Sequence, residues 1–170
     1  MFTHIKINFD FTKIEISVKN HKKLNSMKSN IMNKDSQFPN SFCEENTTIF
    51  QKWWNEQEID FDLLGNQLGM KVETISTIIL PPGNNIPWHT DTFIKMQEIY
   101  PDRNDFVRAM IYVDDYVPGQ MTQIQNGKKY ETYTFWKSGE GYLINDSIPH
   151  VNVNGSFGNT VTMNLSGILV

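Results

Sequence analysis

The chain has 170 residues, of which 39% are hydrophobic and 12% aromatic, and its formal net charge is −4 at pH 7. This length predicts one domain over residues 1–170, and the composition is too apolar for a disordered chain but holds no apolar run that could span a bilayer. The single cysteine, Cys43, excludes an intramolecular disulfide and a cysteine-based zinc cluster. With no strong basic patch and no signal peptide, nucleic-acid binding, membrane attachment and export are not indicated, and we expect a soluble, cytoplasmic protein.

The first 46 residues are predicted to form strands followed by a polar loop. Apolar and polar side chains alternate along two stretches, which predicts two strands or a hairpin. The first stretch contains Ile5, Ile7, Phe9 and Phe11, and the second contains Ile14, Ile16 and Val18. Residues 19–46, rich in Asn, Lys and Ser and including Pro39, indicate a loop or short helical turns.

Residues 47–69 are predicted to be helical. A capping threonine, Thr47 or Thr48, precedes a group of large apolar residues that we expect to face the core, namely Ile49, Phe50, Trp53 and Trp54. A second helical stretch, DFDLLGNQLG, covers residues 60–69 and ends at Gly69.

Residues 70–170 are predicted to consist mainly of strands. VETISTIIL at 72–80 is β-branched, and FVRAMIYV at 106–113 alternates, with Arg108, Met110 and Tyr112 on one face. Asn126-Gly127 predicts a hairpin turn, while EGYLIN at 140–145 and the terminal NTVTMNLSGILV add further strands. A helical segment followed by six or more short strands predicts a mainly β, α+β fold built on a sandwich or barrel.

A possible metal site is indicated by GNNIPWHTDTF at 83–93, where His89 and Asp91 are separated by one residue. On an extended strand the two side chains share a face and could reach one ion. His150, at the end of a later predicted strand, could supply a third ligand, and two histidines with one carboxylate form the facial site of non-heme Fe(II) oxygenases. The alternative is structural: His89 and Asp91 cap turns, and His150 is an ordinary surface histidine.

Three segments resemble the Fe(II)- and 2-oxoglutarate-dependent dioxygenases, in particular small aspartyl/asparaginyl-hydroxylase-like and phage-type members. They are PPGNNIPWHTDTF, RAMIYVDDYVPGQMTQIQNG and WKSGEGYLINDSIPHVNVNG. The resemblance covers about residues 70–168 and implies a double-stranded β-helix (jelly-roll, cupin-like) core, with N-terminal strands and one or two helices outside it. It also implies that His89, Asp91 and His150 bind Fe(II), that 2-oxoglutarate chelates this ion, and that the cytoplasm is that of the host cell if a phage encodes the chain.

The chain departs from the family in the residue that anchors the far carboxylate of 2-oxoglutarate. Family members commonly carry an arginine about ten residues after the second histidine and Ser or Thr two residues later, and these places hold Thr160 and Thr162. A buried carboxylate needs a cation or several donors, so we assign the anchor to Arg108, with Thr160, Thr162 and Tyr112 as further contacts. Arg108 could instead form a surface ion pair with Asp105 or Asp114. In that case the cosubstrate anchor would be one of the rival cations Lys128, Lys129 and Lys137.

The terminal strand has a polar face made of Thr160, Thr162, Asn164 and Ser166, which either meets solvent or lines a polar pocket. Asn152 and Asn154 could orient a substrate or shape a turn. Trp88 is a further candidate contact, although alternation directs it away from the face of His89 and Asp91.

The predicted function is that of a 2-oxoglutarate- and Fe(II)-dependent oxygenase that uses O2, releases succinate and CO2, and hydroxylates a C–H bond of an amino-acid, peptide or protein substrate. Two alternatives stay open. One is a cupin-like metalloprotein that does not use 2-oxoglutarate, and the other is a non-catalytic β-barrel binding module.

Overall fold

The computed structural model describes residues 2–26 and 44–170. Most of the predicted polar loop, with Pro39 and Cys43, therefore lies outside the described residues. Within the described ranges, no helix has the length and apolar character needed to cross a membrane.

Eleven strands, two short α-helices and two 3-10 turns make up the described structure. The strands are β1 (Phe2–Lys6), β2 (Lys22–Asn25), β3 (Thr48–Trp54), β4 (Met70–Leu80), β5 (Asn84–His89), β6 (Phe106–Tyr112), β7 (Gln120–Asn126), β8 (Lys129–Tyr133), β9 (Glu140–Asn145), β10 (His150–Asn154) and β11 (Thr160–Leu169). The helices are α1 (Phe61–Leu68) and α2 (Ile94–Ile99), and the 3-10 turns are Phe11–Lys13 and Glu44–Asn46.

The strands form two antiparallel sheets that face each other. The large sheet has the order β1-β9-β6-β11-β4-β3-β2, and the small sheet has the order β5-β10-β7-β8. Together they form the double-stranded β-helix that the resemblance implied. The predicted strands over residues 72–80, 106–113 and 140–145 are confirmed, as is the hairpin turn at Asn126-Gly127, which joins β7 to β8.

The main hydrophobic core lies on the outer face of the large sheet, away from the small sheet. Alternate residues of its central strands point outward, including Ile75 and Ile79 of β4 and Met163 and Leu165 of β11. They are covered by the N-terminal segment and by α1, which contribute Ile7, Phe9, Phe11, Ile14, Ile16, Phe61 and Leu64. The space between the sheets holds two smaller apolar clusters, one around Met110 and Ile124 and the other around Ile78 and Ile86, and it also holds polar side chains.

The N-terminal prediction of two strands is wrong for the second one. Only Phe2–Lys6 forms a strand, and it pairs with β9. The chain then turns at Phe11–Lys13, where the Asp10 carboxylate accepts a hydrogen bond from the Thr12 amide at 3.1 Å. The following residues Ile14 and Ile16 pack their side chains against the outer core without joining a sheet.

The predicted helix from Thr47 or Thr48 is also wrong, because Thr48–Trp54 is strand β3. It pairs with β2 and β4, so its side chains alternate: Trp54 enters the outer core, and Trp53 on the inner side is 41% exposed. The second predicted helix is confirmed as α1. Asp60 caps its first turn, and Gly69 ends it with a left-handed φ of 63°, which glycine adopts at little cost.

Candidate metal centre

The two histidines of the predicted triad lie opposite each other on neighbouring strands. His150 of β10 is the register partner of His89 of β5, and their ring centroids are 4.2 Å apart. Asp91 follows β5 by two residues. One ligand atom from each of the three residues lies within 4.8 Å of the other two, and the three residues are only 5%, 4% and 1% exposed in chain order. The structure thus brings the predicted triad together.

Backbone hydrogen bonds fix which imidazole nitrogen each histidine offers. Nδ1 of His89 lies 2.7 Å from the Pro87 carbonyl oxygen, and Nδ1 of His150 lies 3.1 Å from that of Ile148. A carbonyl only accepts, so both Nδ1 atoms carry a proton, and Nε2 is the nitrogen of each ring that can bind a metal ion. Burial, with the charge of His150, lowers the pKa of His89 to about 3, so this ring is neutral at physiological pH.

Asp91 is a buried carboxylate held by one cation. Oδ1 accepts a hydrogen bond from Nη1 of Arg108 at 2.5 Å, and Oδ2 has no hydrogen-bond partner among the described residues. Burial alone would raise the pKa of this carboxyl, but Arg108 and the two histidines hold it below its ordinary value. Asp91 is therefore ionised, with one oxygen left over.

These groups fit a divalent metal ion. Two imidazole nitrogens and one carboxylate oxygen lie close together. Oδ2 of Asp91 is buried without a partner among the described residues, which is costly unless a ligand satisfies it. Three protein ligands leave positions for other molecules, as in catalytic rather than structural sites.

A small pocket lined by both polar and apolar side chains adjoins the triad between the two sheets. Its volume is about 60 Å³, room for a few water molecules or one small functional group. The triad and Arg108 form part of its lining. The rest consists of uncharged polar or amphipathic side chains, Ser26, Gln51, Trp53, Ser76, Asn152, Thr162 and Asn164, and of apolar side chains, Ile49, Ile78, Ile86 and Met110. The polar face of β11 is thus pocket lining near Thr162 and Asn164, and not solvent-exposed.

Arg108 lies in this pocket and makes none of the surface ion pairs considered from the sequence. Asp105 pairs instead with Arg103. Arg108 contacts Asp91, and its Nε donates to the Ser166 hydroxyl at 3.1 Å. Of the other predicted cosubstrate contacts, Thr162 lines the pocket while Thr160 lies outside its lining.

Tyr112 is placed behind the pocket and not in it. Its ring stacks on Trp136 at 3.8 Å, and its hydroxyl donates to Thr122, whose own hydroxyl donates to the Asn152 side chain. Tyr112 is therefore connected to the pocket only indirectly, through Thr122 and the pocket residue Asn152.

The three predicted substrate contacts are separated by the structure. Asn152 lines the pocket. Asn154 lies at a turn, where its amide donates to the carbonyls of Leu80 and Gly158 and accepts from Ser156. Trp88 points away from the pocket, as alternation predicted, and its ring meets Tyr130 edge-on.

Several pocket residues were not singled out from the sequence, among them Gln51 and Asn164. Gln51 was hidden by the mistaken helix, since only a strand directs it inward beside Ile49. Asn164 was noted only as part of a polar face. It is 5% exposed, and its Oδ1 accepts no hydrogen bond from any residue in the described ranges.

No protein-family model and no curated protein sequence matches the chain. Solved structures do resemble it. A prolyl-4-hydroxylase from Pseudomonas putida aligns with a TM-score of 0.54 at 12% identity, over 72% of each chain. A 2OG-Fe(II) oxygenase family protein from Burkholderia pseudomallei aligns at 0.45 and 12%, over 63% of this chain and 50% of the other. A predicted oxalate decarboxylase from Thermotoga maritima aligns at 0.42 and 11%, over 72% and 82%. At such identities the likeness to the prolyl-4-hydroxylase shows a shared fold, and the reaction has to be argued from the site.

Proposed function

We propose that this chain is an Fe(II)- and 2-oxoglutarate-dependent oxygenase that hydroxylates a C–H bond of an amino-acid, peptide or protein substrate. The observation that carries the proposal is the buried triad of His89, Asp91 and His150, which adjoins a pocket that also contains Arg108 and Thr162. A structural metal site would be closed by a fourth protein ligand.

The protein's part in this reaction is to hold and orient the reactants. Nε2 of each histidine and Oδ2 of Asp91 would bind the iron, since these atoms are left free by the contacts described above. When bound, iron and 2-oxoglutarate supply the oxidation, with O2 as oxidant and succinate and CO2 as coproducts.

Arg108 supports the use of an acidic cosubstrate. It is the one cationic side chain among the described residues that line the pocket, and its second amino group, Nη2, makes no hydrogen bond within the described structure. That group and the Thr162 hydroxyl are the donors that we assign to the far carboxylate of 2-oxoglutarate. A purely apolar interior would have favoured the cupin-like alternative.

Apolar side chains lie next to the triad, and an exposed aromatic ring lies among the lining residues of the pocket. Ile78, Ile86 and Met110 form apolar lining next to the triad, which limits solvent access. At the mouth the half-exposed ring of Trp53 is faced by the Lys95 ammonium, 3.7 Å from the ring centroid. We assign this mouth to the part of the substrate that surrounds the reacting C–H bond.

An anaerobic titration with Fe(II) and then 2-oxoglutarate tests the proposal. We expect the weak visible charge-transfer band of an iron-chelated keto acid, and in Thr162→Val the band should need more 2-oxoglutarate at saturating iron. Lys137→Ala, at an exposed residue paired with Asp115, is the control and should match the wild type. Iron binding without a band at any 2-oxoglutarate concentration would overturn the cosubstrate assignment, and absence of iron binding would overturn the enzyme class.

A further inference from the structure

The guanidinium of Arg108 is held from three sides at a point next to the metal triad. Nη1 contacts Oδ1 of Asp91, Nε donates to the Ser166 hydroxyl, and the guanidinium carbon lies 5.0 Å from the ring centroid of Phe93. Ser166 of β11 is the register partner of Arg108 of β6, so the sheet itself sets this contact. Phe93 is 4% exposed and is fixed at the start of α2 with a left-handed φ of 48°.

The pair of Arg108 and Asp91 differs from the other arginine–aspartate pair of the molecule. On the surface, Arg103 uses Nε and Nη2 to contact both oxygens of Asp105, at 2.8 and 2.6 Å. This two-pronged contact is the usual arrangement of arginine with a carboxylate. Arg108 instead turns its Nε to Ser166 and takes only one oxygen of Asp91, although a buried pair gains most from satisfying both.

This single contact leaves the other oxygen of Asp91 without a hydrogen-bond partner in the described part of the chain. Because Oδ1 is tied to Arg108, rotation of the carboxylate is restricted, and Oδ2 is the oxygen that remains available to a metal ion. An untethered carboxylate could rotate and offer both oxygens, or neither.

We propose that Arg108 is a positioning residue that makes Asp91 a one-oxygen metal ligand, with Ser166 and Phe93 holding the guanidinium in place. The inference rests on the metal site of the proposed function and is independent of 2-oxoglutarate. It gives Arg108 a role in metal loading, in addition to the cosubstrate contact assigned to its other amino group. Partners of this kind, which orient a metal ligand, change metal affinity by about 10- to 100-fold when removed.

The test is a titration of the metal-free protein with Co(II), whose visible spectrum reports both affinity and coordination. Arg108→Lys keeps the charge but loses the contact to Ser166, and we expect its Kd for Co(II) to rise by about 10- to 100-fold. Ser166→Ala removes only the acceptor that orients Arg108, and we expect a smaller rise in Kd with a changed spectrum. Arg103→Ala, in the exposed pair, is the matched control and should bind Co(II) as the wild type does.

The outcomes separate this inference from the proposed function. Wild-type affinity and an unchanged spectrum in both Arg108→Lys and Ser166→Ala would overturn the positioning role and leave the metal site intact. A wild-type protein that binds no Co(II) would overturn both. Thermal unfolding of each metal-free variant identifies misfolded protein, and Ser166→Ala keeps the test decisive if Arg108→Lys fails to fold, because it leaves the charged pair in place.

Discussion

The two faces of the large sheet differ in what they contribute to the protein. The outer face carries apolar side chains that are sealed by the N-terminal segment and α1. The inner face, toward the small sheet, carries hydroxyl, amide and guanidinium groups around the metal triad. Strand β11 contributes to both, since Met163 and Leu165 point outward while Thr162 and Asn164 point inward.

This difference shows how a small domain keeps a polar pocket without losing its core. In a typical β-sandwich the core fills the space between the sheets. Here the main core has moved to the outer face, so the interior can hold buried polar atoms that lack partners in the described structure, such as Oδ1 of Asn164 and Oδ2 of Asp91. Such atoms weaken a fold but favour ligand binding.

The largest expected effect concerns the buried ion pair of Arg108 and Asp91 on the inner face. Asp91→Ala in the metal-free protein should lower the free energy of unfolding by about 3–5 kcal/mol, because it leaves the Arg108 charge buried and unpaired. Urea denaturation in the presence of a chelator measures this. The exposed pair provides the control, and Asp105→Ala should cost less than about 1 kcal/mol.

A double variant tests the cause of that loss. Asp91→Leu combined with Arg108→Met removes both charges, and we expect it to recover most of the stability while metal binding stays abolished. If Asp91→Ala destabilises no more than Asp105→Ala, the buried pair contributes no more to stability than the exposed pair.

Substitutions at neighbouring residues of β11 compare how much each face contributes to the free energy of unfolding. Leu165→Ala should cost about 2–5 kcal/mol, because the side chain is fully buried in the outer core. Asn164→Ala, one position away, should change stability by less than about 1 kcal/mol, because its Oδ1 has no partner to lose in the described part of the chain. Urea denaturation of both variants measures the contrast, and equal losses would contradict the division between the faces.

Sequence patterns located most of the sheet because period-two alternation and an Asn-Gly turn are local signals. The error at β3 has a physical cause. Ile49, Phe50, Trp53 and Trp54 have the spacing of one helix face, and only pairing with β2 and β4 selects the strand. Such partners are distant in the chain, so the local pattern does not contain them.

Distance along the chain decided which contacts of the site could be predicted from the sequence. The pair of His89 and Asp91 could be predicted, and the contact of Arg108 with Asp91 could not. His89 and Asp91 lie on one extended segment, where alternation alone places them together. The contact between Arg108 and Asp91 joins the segment after β5 to β6 in the other sheet, and Ser166 comes from a third segment. Sequence therefore indicated Arg108 as a pocket residue but assigned its charge to the cosubstrate alone.

A buried polar network on the outer face gives a smaller, pH-dependent effect. His21 hydrogen-bonds Thr77 at 2.7 Å, and Thr77 also accepts from Trp54. Burial, with the charge of nearby Lys52, lowers the pKa of His21, so the unfolded chain takes up the proton first. We therefore expect the contribution of His21 to the free energy of unfolding to be constant above about pH 6.5 and to fall below it by at most about 1.4 kcal/mol per pH unit. His89, whose pKa is also lowered, adds a separate loss in the same direction.

His21→Gln tests the source of this pH dependence. Urea denaturation between pH 7.5 and 5.5 should show a shallower slope in the variant than in the wild type. An identical slope would assign the effect to other groups and show that the polar network of the outer face is insensitive to protonation.

The smallest expected effect is at the cap of α1, the helix that covers the outer core. The Asp60 carboxylate accepts a hydrogen bond from the Leu63 amide at 2.8 Å, and Asp60→Ala should cost about 1 kcal/mol. Asp62→Ala, in the same turn but not at the capping position, should cost only a few tenths of a kcal/mol through the helix dipole. Because α1 packs only on the outer face, both variants should keep the wild-type Kd for Co(II). A weakened Kd in Asp60→Ala would mean that the outer core also sets the geometry of the metal centre.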